Sequence, residues 1–482
     1  MNKRMVFYML GLILSIESLL LLLPLSVSLI YRESGSAIAF TITAAAALAV
    51  GLIITLVSKP KNKVIYAREG FVIVALSWFA VSVVGMVPFL ISGEIPSVVD
   101  AFFETVSGFT TTGASILTDI ESMSHGMLFW RSFTHWIGGM GVIVFIMAVI
   151  PSTTDRSIHI MRAEMPGPVV GKLVPKAKET AKILYLIYIV MTVIETVLLL
   201  VGGMPLFDSL IYTFGTAGTG GFGIRGDSVA SYSPYLQWVI TVFMLLFGVN
   251  FNLYYLLLLK RAKSVLKSEE LWCYIGIFLL ASLLICGNIM PLCENLSEAV
   301  RLSAFQVSSI ITTTGYATTD FNTWPILSKS IITCLLFIGA CAGSTAGGLK
   351  VSRLVILFKT VKGNLKKMLH PRSVNSVKFE GKRLDGDTVS GVFNYFAMYA
   401  MLFFVIFLLI SLNGKFDVET NFTATAACFN NVGPALGAAG PASSYADYDA
   451  FSKIMLSIAM LFGRLEIYPV LFLLSPRTWM KK

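Results

Sequence analysis

The chain is poor in charge. Asp, Glu, Lys and Arg make up only 13% of its 482 residues, against about a quarter in a soluble globular protein. A purely soluble enzyme is excluded on that ground. Histidine and cysteine are scarce as well, with 4 and 6 copies. His125, His135, His159 and His370 show no metal-ligand spacing. The cysteines form no CxxC pair and lie in or beside apolar runs, as small buried residues do. No Ser/His/Asp cluster marks a hydrolase, so no enzymatic activity is expected. Acid is scarcer than base, 27 residues against 37, which leaves a net charge of +10. What fills the chain is apolar: 56% hydrophobic residues and a mean hydropathy of +0.78. That excludes disorder and points to a membrane.

Runs long enough to cross a hydrocarbon core lie at about 5–30, 37–57, 71–92, 128–150, 183–203, 236–259, 271–293, 328–358, 391–413 and 452–474. The first lacks an A-x-A cleavage site and reads as a retained helix. With the N-terminus inside and ten crossings, 29 Lys and Arg fall inside and 7 outside, the last being Arg464 within a span. This split is a positive-inside signal, with both termini cytoplasmic. It turns the basic excess into a topology signal and an attraction to anionic membrane lipid, and removes a nucleic-acid reading.

The outside segments are more than loops. Segments 100–115, 208–223, 298–318 and 419–436 each carry a short half-apolar stretch, an acid near its start and a turn with glycine. The stretches are too short to span and long enough for a re-entrant half-helix, with the acid at its N-terminus. Span, half-helix, turn and span thus recur four times after two leading helices. The turn glycines Gly113, Gly220, Gly315 and Gly433 recur at about a hundred residues. The expected fold is an all-α polytopic membrane protein: two leading helices over 1–65, then units at 66–165, 166–265, 266–385 and 386–482 around a central pore. Exposed backbone at membrane depth is tolerated only beside a cavity. Four such turns would form a ring of carbonyl oxygens able to replace a cation's water shell, aided by the half-helix C-termini. The turns carry no carboxylate, which favours a monovalent cation. The bland alternative is that Gly and Thr serve helix packing.

Two interruptions stand out. The run at 328–358 is broken by GACAGSTAGG over 339–348, which reads equally as a kinked helix or as an unwound loop. Arg464 sits within the last run, where an arginine suggests function; a structural pair with Glu466 is the alternative. GTGGFG at 218–223 lacks the βαβ context of a dinucleotide site, and GSTAGGLK at 343–350 lacks the GK[ST] ending of a phosphate loop. A transporter of a small organic solute is the rival class, but it needs a charged pair or side-chain donors at the midplane.

The segments SGFTTTGAS (107–115), WRSFTHWIGGMG (130–141), GTGGF (218–222), TTTGYAT (312–318), GSTAGGLKVSR (343–353) and GRLEIYPVLFLLSP (463–476) together resemble the Trk/Ktr/HKT superfamily of potassium transporters, nearest its TrkH type. The resemblance covers essentially the whole chain. It implies potassium-binding carbonyls at Thr111, Thr112 and Gly113; Gly218, Thr219 and Gly220; Thr313, Thr314 and Gly315; and Asn431, Val432 and Gly433. Relatives that pass more sodium carry Ser at the position of Gly113. It also implies an intramembrane gate at Gly343, Ser344, Thr345, Ala346, Gly347 and Gly348, with Arg464 facing the pore beneath the filter as barrier or strut. A homodimer in a prokaryotic inner membrane is implied. So is a cytosolic TrkA-type ring that binds NAD(H) or ATP/ADP, with the contact expected in segments 151–182 and 359–390. No cofactor is expected on this chain itself, and a sodium-permeable transporter of the same fold is the nearest alternative.

Overall fold

The computed structural model describes residues 1–61, 65–141, 177–372 and 376–480. They are mostly helical; the strands are a two-residue pair, Lys378–Phe379 with Lys382–Arg383. Among the described residues, six helices are long and apolar enough to cross a membrane: Lys3–Ile30, Ser34–Val57, Arg68–Ser92, Glu179–Val201, Glu269–Leu292 and Gly386–Ser411. The chain is an integral membrane protein. The first two pack closely because Gly11 and Gly51 face each other, and a methyl group on either would collide with the other's carbonyl oxygen. Glu33 then ties this leading pair to the rest. It accepts from the backbone N–H groups of His125 (2.7 Å) and Gly126 (3.0 Å), at the start of helix His125–Gly139.

Each of the other four long helices is followed by a short one: Val98–Phe109, Leu206–Gly218, Leu296–Ile311 and Val418–Phe429. They hold 12, 13, 16 and 12 residues. At 1.5 Å per residue they run roughly 18 to 24 Å, short of a ~30 Å hydrocarbon core. Each carries an acid in its first turn: Asp100, Asp208, Glu298 and Glu419. Three have a side-chain cap, from Ser97, Asn295 and Asp417. Their hydroxyls return to the preceding turn, as in Thr105 to Ala101 O (2.7 Å) and Thr425 to Asn421 O (2.8 Å). This satisfies polar side chains in a setting without water.

The helices that follow the turns depart from the sequence expectation of single spans. Pro234–Phe247 and Phe251–Leu258 meet at 89°. Gly248 and Asn250 make the break: Asn250 caps the second piece through Asn252 N (3.0 Å), and Gly248 O accepts from Cys341 N (3.1 Å). The third ends at Leu335 and resumes at Val351 as the helix to Leu369. The fourth stops at Arg464 and restarts at Tyr468, with Glu466 and Ile467 both at positive φ. The first ends at Gly139, and its expected continuation over 142–150 lies outside the described residues.

Candidate functional site

The short helices all end in the same way. Thr111, Thr219, Thr313 and Asn431 adopt left-handed φ values of 55°, 56°, 56° and 55°. The next residue in each turn, Thr112, Gly220, Thr314 or Val432, donates its N–H to the carbonyl five residues back, on Ser107, Gly215, Ser309 and Ala427, at 2.8–2.9 Å. This is a Schellman-type C-cap built on Thr or Asn rather than Gly. A glycine at positive φ follows in every case: Gly113 (79°), Gly221 (79°), Gly315 (84°) and Gly433 (95°). The backbone therefore aligns Thr219-Gly220-Gly221 with the other three turns. The expected second triplet, Gly218-Thr219-Gly220, is one residue early. Gly218 is the last helical residue, at the level of Thr110, Thr312 and Asn430.

These glycines show how the turns meet. A methyl group on Gly113 would strike Gly220 O, one on Gly221 would strike Thr314 O, one on Gly315 would strike Val432 O, and one on Gly433 would press on Thr112 O. The contacts run first to second, second to third, third to fourth and fourth to first, which closes a ring. Only glycine provides both the backbone angle and the room. Outside the ring lies a cavity of about 510 Å³ that all four glycines line.

The ring has a hydrogen-bonded belt on this outer side. Tyr445 donates its hydroxyl to Gly433 O (2.8 Å) and its N–H to Ser115 O (2.8 Å). Ser115 donates to Glu104 (2.9 Å), which also accepts from Ile116 N (2.9 Å). Glu104 pairs with Arg131 at 2.5 Å, both almost wholly buried. Arg131 reaches Gly223 O (3.1 Å) and lies over the Phe222 ring at 3.6 Å. Tyr316 donates to Phe222 O (3.2 Å) and stands against Tyr212 O (3.1 Å). Fully buried His135 bridges Gly108 O (2.7 Å) and Phe222 N (3.3 Å). The sequence places Arg131 among the outside residues, gives His135 only the absence of metal-ligand spacing, and singles out neither Glu104 nor Tyr445. The available signal was a charge of each sign in apolar surroundings.

Beneath the ring lies the unwound segment between Leu335 and Val351. It is not a kinked helix: Gly339 N bonds Leu349 O (2.8 Å) and Val351 N bonds Ala340 O (3.2 Å), which folds the loop on itself. Gly343, at φ 71°, gives its carbonyl to Phe251 N (3.1 Å). Ser344 bonds Cys341 O (2.7 Å), and Thr345 donates to Phe247 O (3.3 Å). Gly347 N bonds the Thr313 hydroxyl (2.7 Å), and a methyl on Gly347 would press on Asn430 O and Asn431. Gly348 sits at φ 66° against Gly339. Ala346 O and Gly347 O accept from the buried Lys350 ammonium. Glu270 holds both loop ends, through Ala342 N (2.7 Å) and Ser352 N (3.1 Å). Arg464 donates to Thr345 O (2.6 Å), Gly139 O (2.6 Å) and Gly138 O. It joins the loop to the end of the first returning helix. Glu466, the neighbour considered as its partner, is bonded by Arg353 at 2.6 Å.

Four converging backbone turns over a backbone loop can strip and rebind a cation's water shell. Among the described residues, no group of three or more His, Cys, Asp or Glu is placed to hold a resident metal. The chain is similar to known potassium uptake proteins. The chain is 38% identical over 487 residues to the Trk system potassium uptake protein TrkH of Salmonella typhimurium, covering 99% of this chain and 100% of that one. It is 34% identical to the Trk system potassium uptake protein TrkG of Escherichia coli K12, with 99% of each covered. The crystal structure of the potassium transporter TrkH from Vibrio parahaemolyticus superposes with a TM-score of 0.90 over 100% of both chains, at 33% identity. The TrkH family model, described as cation transport protein, matches residues 36–276 and 278–480. The chain belongs to the TrkH family of cation transport proteins.

Proposed function

We propose that this chain takes up potassium through a gated pore whose filter is the closed ring of four turns. The carrying observation is the cyclic contact of the turn glycines with their neighbours' carbonyls. The filter carbonyls are those of Thr111, Thr112 and Gly113; Thr219, Gly220 and Gly221; Thr313, Thr314 and Gly315; and Asn431, Val432 and Gly433. Every Thr, Asn and Val of that set is fully buried, so the pore wall there is backbone held by packed side chains. Potassium passes as substrate, driven by the membrane potential. The four units bounded at 66–165, 166–265, 266–385 and 386–482 each contribute one wall, and no catalytic step is required.

Residues Gly343 to Gly348 form the gate, with Arg464 as its latch. Two supports favour that reading: the loop contacts filter residues Thr313 and Asn431, and Arg464 binds loop and helix end at once. A charge placed there both opposes cations and holds the loop. The protein works as a homodimer in the inner membrane of a prokaryote, with both termini cytoplasmic. A cytosolic nucleotide-binding ring of the TrkA type regulates it and carries the NAD(H) or ATP/ADP. Helix Val351–Leu369 supports a docking role, because Phe358, Leu365, Met368 and Leu369 are exposed beside Lys362, Lys366 and Lys367. Of the other expected contact segment, residues 151–176 lie outside the described residues.

Flux of potassium, rubidium, sodium and lithium into liposomes holding the purified protein tests the filter. Potassium and rubidium should enter ahead of sodium. Equal entry of all four, or none even with the cytosolic ring added, refutes the carbonyl filter.

A further inference from the structure

The four turn glycines are alike in backbone and unlike in what their carbonyls do. Among the described residues, Gly433 O accepts a hydrogen bond, from Tyr445, and no bond is formed by the carbonyls of Gly113, Gly221 or Gly315. The Tyr445 hydroxyl is not incidental. Its ring is 2% exposed and packs against Phe103 (5.6 Å between centroids) and Tyr448 (5.8 Å). Its backbone N–H is spent on Ser115 O, in the strand that leaves the first turn. Both Tyr445 and Gly433 line the outer cavity. A carbonyl oxygen has two lone pairs. One is taken by the phenol, which fixes the direction of the other and lowers its electron density.

We infer that Tyr445 is a positioning residue for ion selectivity: its hydroxyl sets the Gly433 carbonyl, so the outermost ring offers three free carbonyls and one restrained one. The reason lies in the fourth turn itself. Pro434 follows Gly433 and has no N–H. The strand beyond this turn therefore cannot be tied at its first residue by a backbone donor. The second turn is tied by such a donor, Phe222 N to His135, while the third is tied through Tyr316 O, which accepts from Ser309. The fourth turn is steadied from outside, by a side chain twelve residues on. The outer site is then fixed on one side and adjustable on three. A flexible carbonyl can close around sodium as well as potassium, so the restraint acts against the smaller ion.

This inference rests on the carbonyl-filter reading, and its test is separable from it. Tyr445→Phe keeps the ring and removes only the donor. In liposomes, the potassium-over-sodium flux ratio should fall roughly three- to ten-fold, the value of one net hydrogen bond. The external potassium giving half-maximal flux should shift by a similar factor, with saturating flux changed less than about two-fold. A wall that merely packs would not split these two readouts. A second variant carries 3,5-difluorotyrosine at position 445, a stronger donor of nearly the same shape, and should move the flux ratio the opposite way. Tyr448→Phe serves as control, since that hydroxyl bonds Asn421 (3.2 Å) and not the ring, and should leave the ratio unchanged. A selective wild type with no change in either Tyr445 variant overturns the inference. A wild type without potassium preference instead refutes the filter.

Discussion

The two sides of the ring of turns are held by different chemistry. On the outside, fixed side chains bond to fixed backbone: Tyr445, Ser115, Glu104 and Arg131 are joined in series, and Arg131 and Tyr316 bond the adjacent carbonyls of Gly223 and Phe222. On the inside, a glycine-rich loop is held by charges: Arg464 and Lys350 on bare carbonyls, Glu270 on two N–H groups. A belt of packed, mutually bonded groups has one arrangement. The loop is buried too, through small side chains such as Ala340, Cys341 and Ala346, but its backbone is held by charges. On the proposed function, the difference separates selectivity, which requires constancy, from gating, which requires two states.

The largest effect should come from the belt. Glu104→Gln leaves Arg131 buried without its counter-charge and should destabilise the fold by about 3–5 kcal/mol, read as a lower unfolding temperature in detergent. Retained stability would show that the outer side is looser than its bonds suggest. Next comes the latch. Arg464→Ala frees the Thr345 and Gly139 carbonyls and leaves Gly138 O bonded by the N–H of Gly141; charge-assisted hydrogen bonds are worth about 1.5–3 kcal/mol each, so basal flux should rise roughly ten-fold or more with the ion ratio unchanged. A fall in flux would make Arg464 a strut. Gly113→Ser drives a side chain toward Gly220 O. It should lower the potassium-over-sodium ratio by about ten-fold, or roughly 1.4 kcal/mol, without opening the gate. A higher basal flux in that variant would blur the division. The smallest change is expected from Glu270→Gln, which keeps an acceptor and loses its charge. Basal flux should rise by about two- to three-fold, within the range of one weakened hydrogen bond.

The sequence shows the short helices clearly, because acids at Asp100, Asp208, Glu298 and Glu419 precede half-apolar stretches too short to span. The unwound loop is only half legible, since GACAGSTAGG marks an interruption but reads equally as a kinked helix. The second turn is not legible. GTGGFG offers four glycines, and only backbone angles show that Gly221 rather than Gly220 stands with Gly113. The break at Glu466–Ile467 is hidden too. A β-branched residue at φ 67° contradicts local preference and is fixed from elsewhere, by Ile467 N on Phe462 O (3.0 Å) and Glu466 on Arg353. Tyr445 gives no signal at all, because its role depends on a contact with Gly433, twelve residues back in the same unit, that periodicity does not encode.

The ring is written on one polypeptide. A channel assembled from four identical subunits changes every wall with each mutation, so its filter is either kept or lost whole. Here Asn431 can replace threonine, Gly220 can replace Thr112's counterpart, and Tyr445 can restrain one carbonyl, while the other walls stay as they were. The interlocked glycines limit this freedom, since each fills the space its neighbour leaves. Inheritance can therefore adjust this filter one quarter at a time, with changes at adjoining quarters expected to be coupled and changes at opposite quarters expected to add.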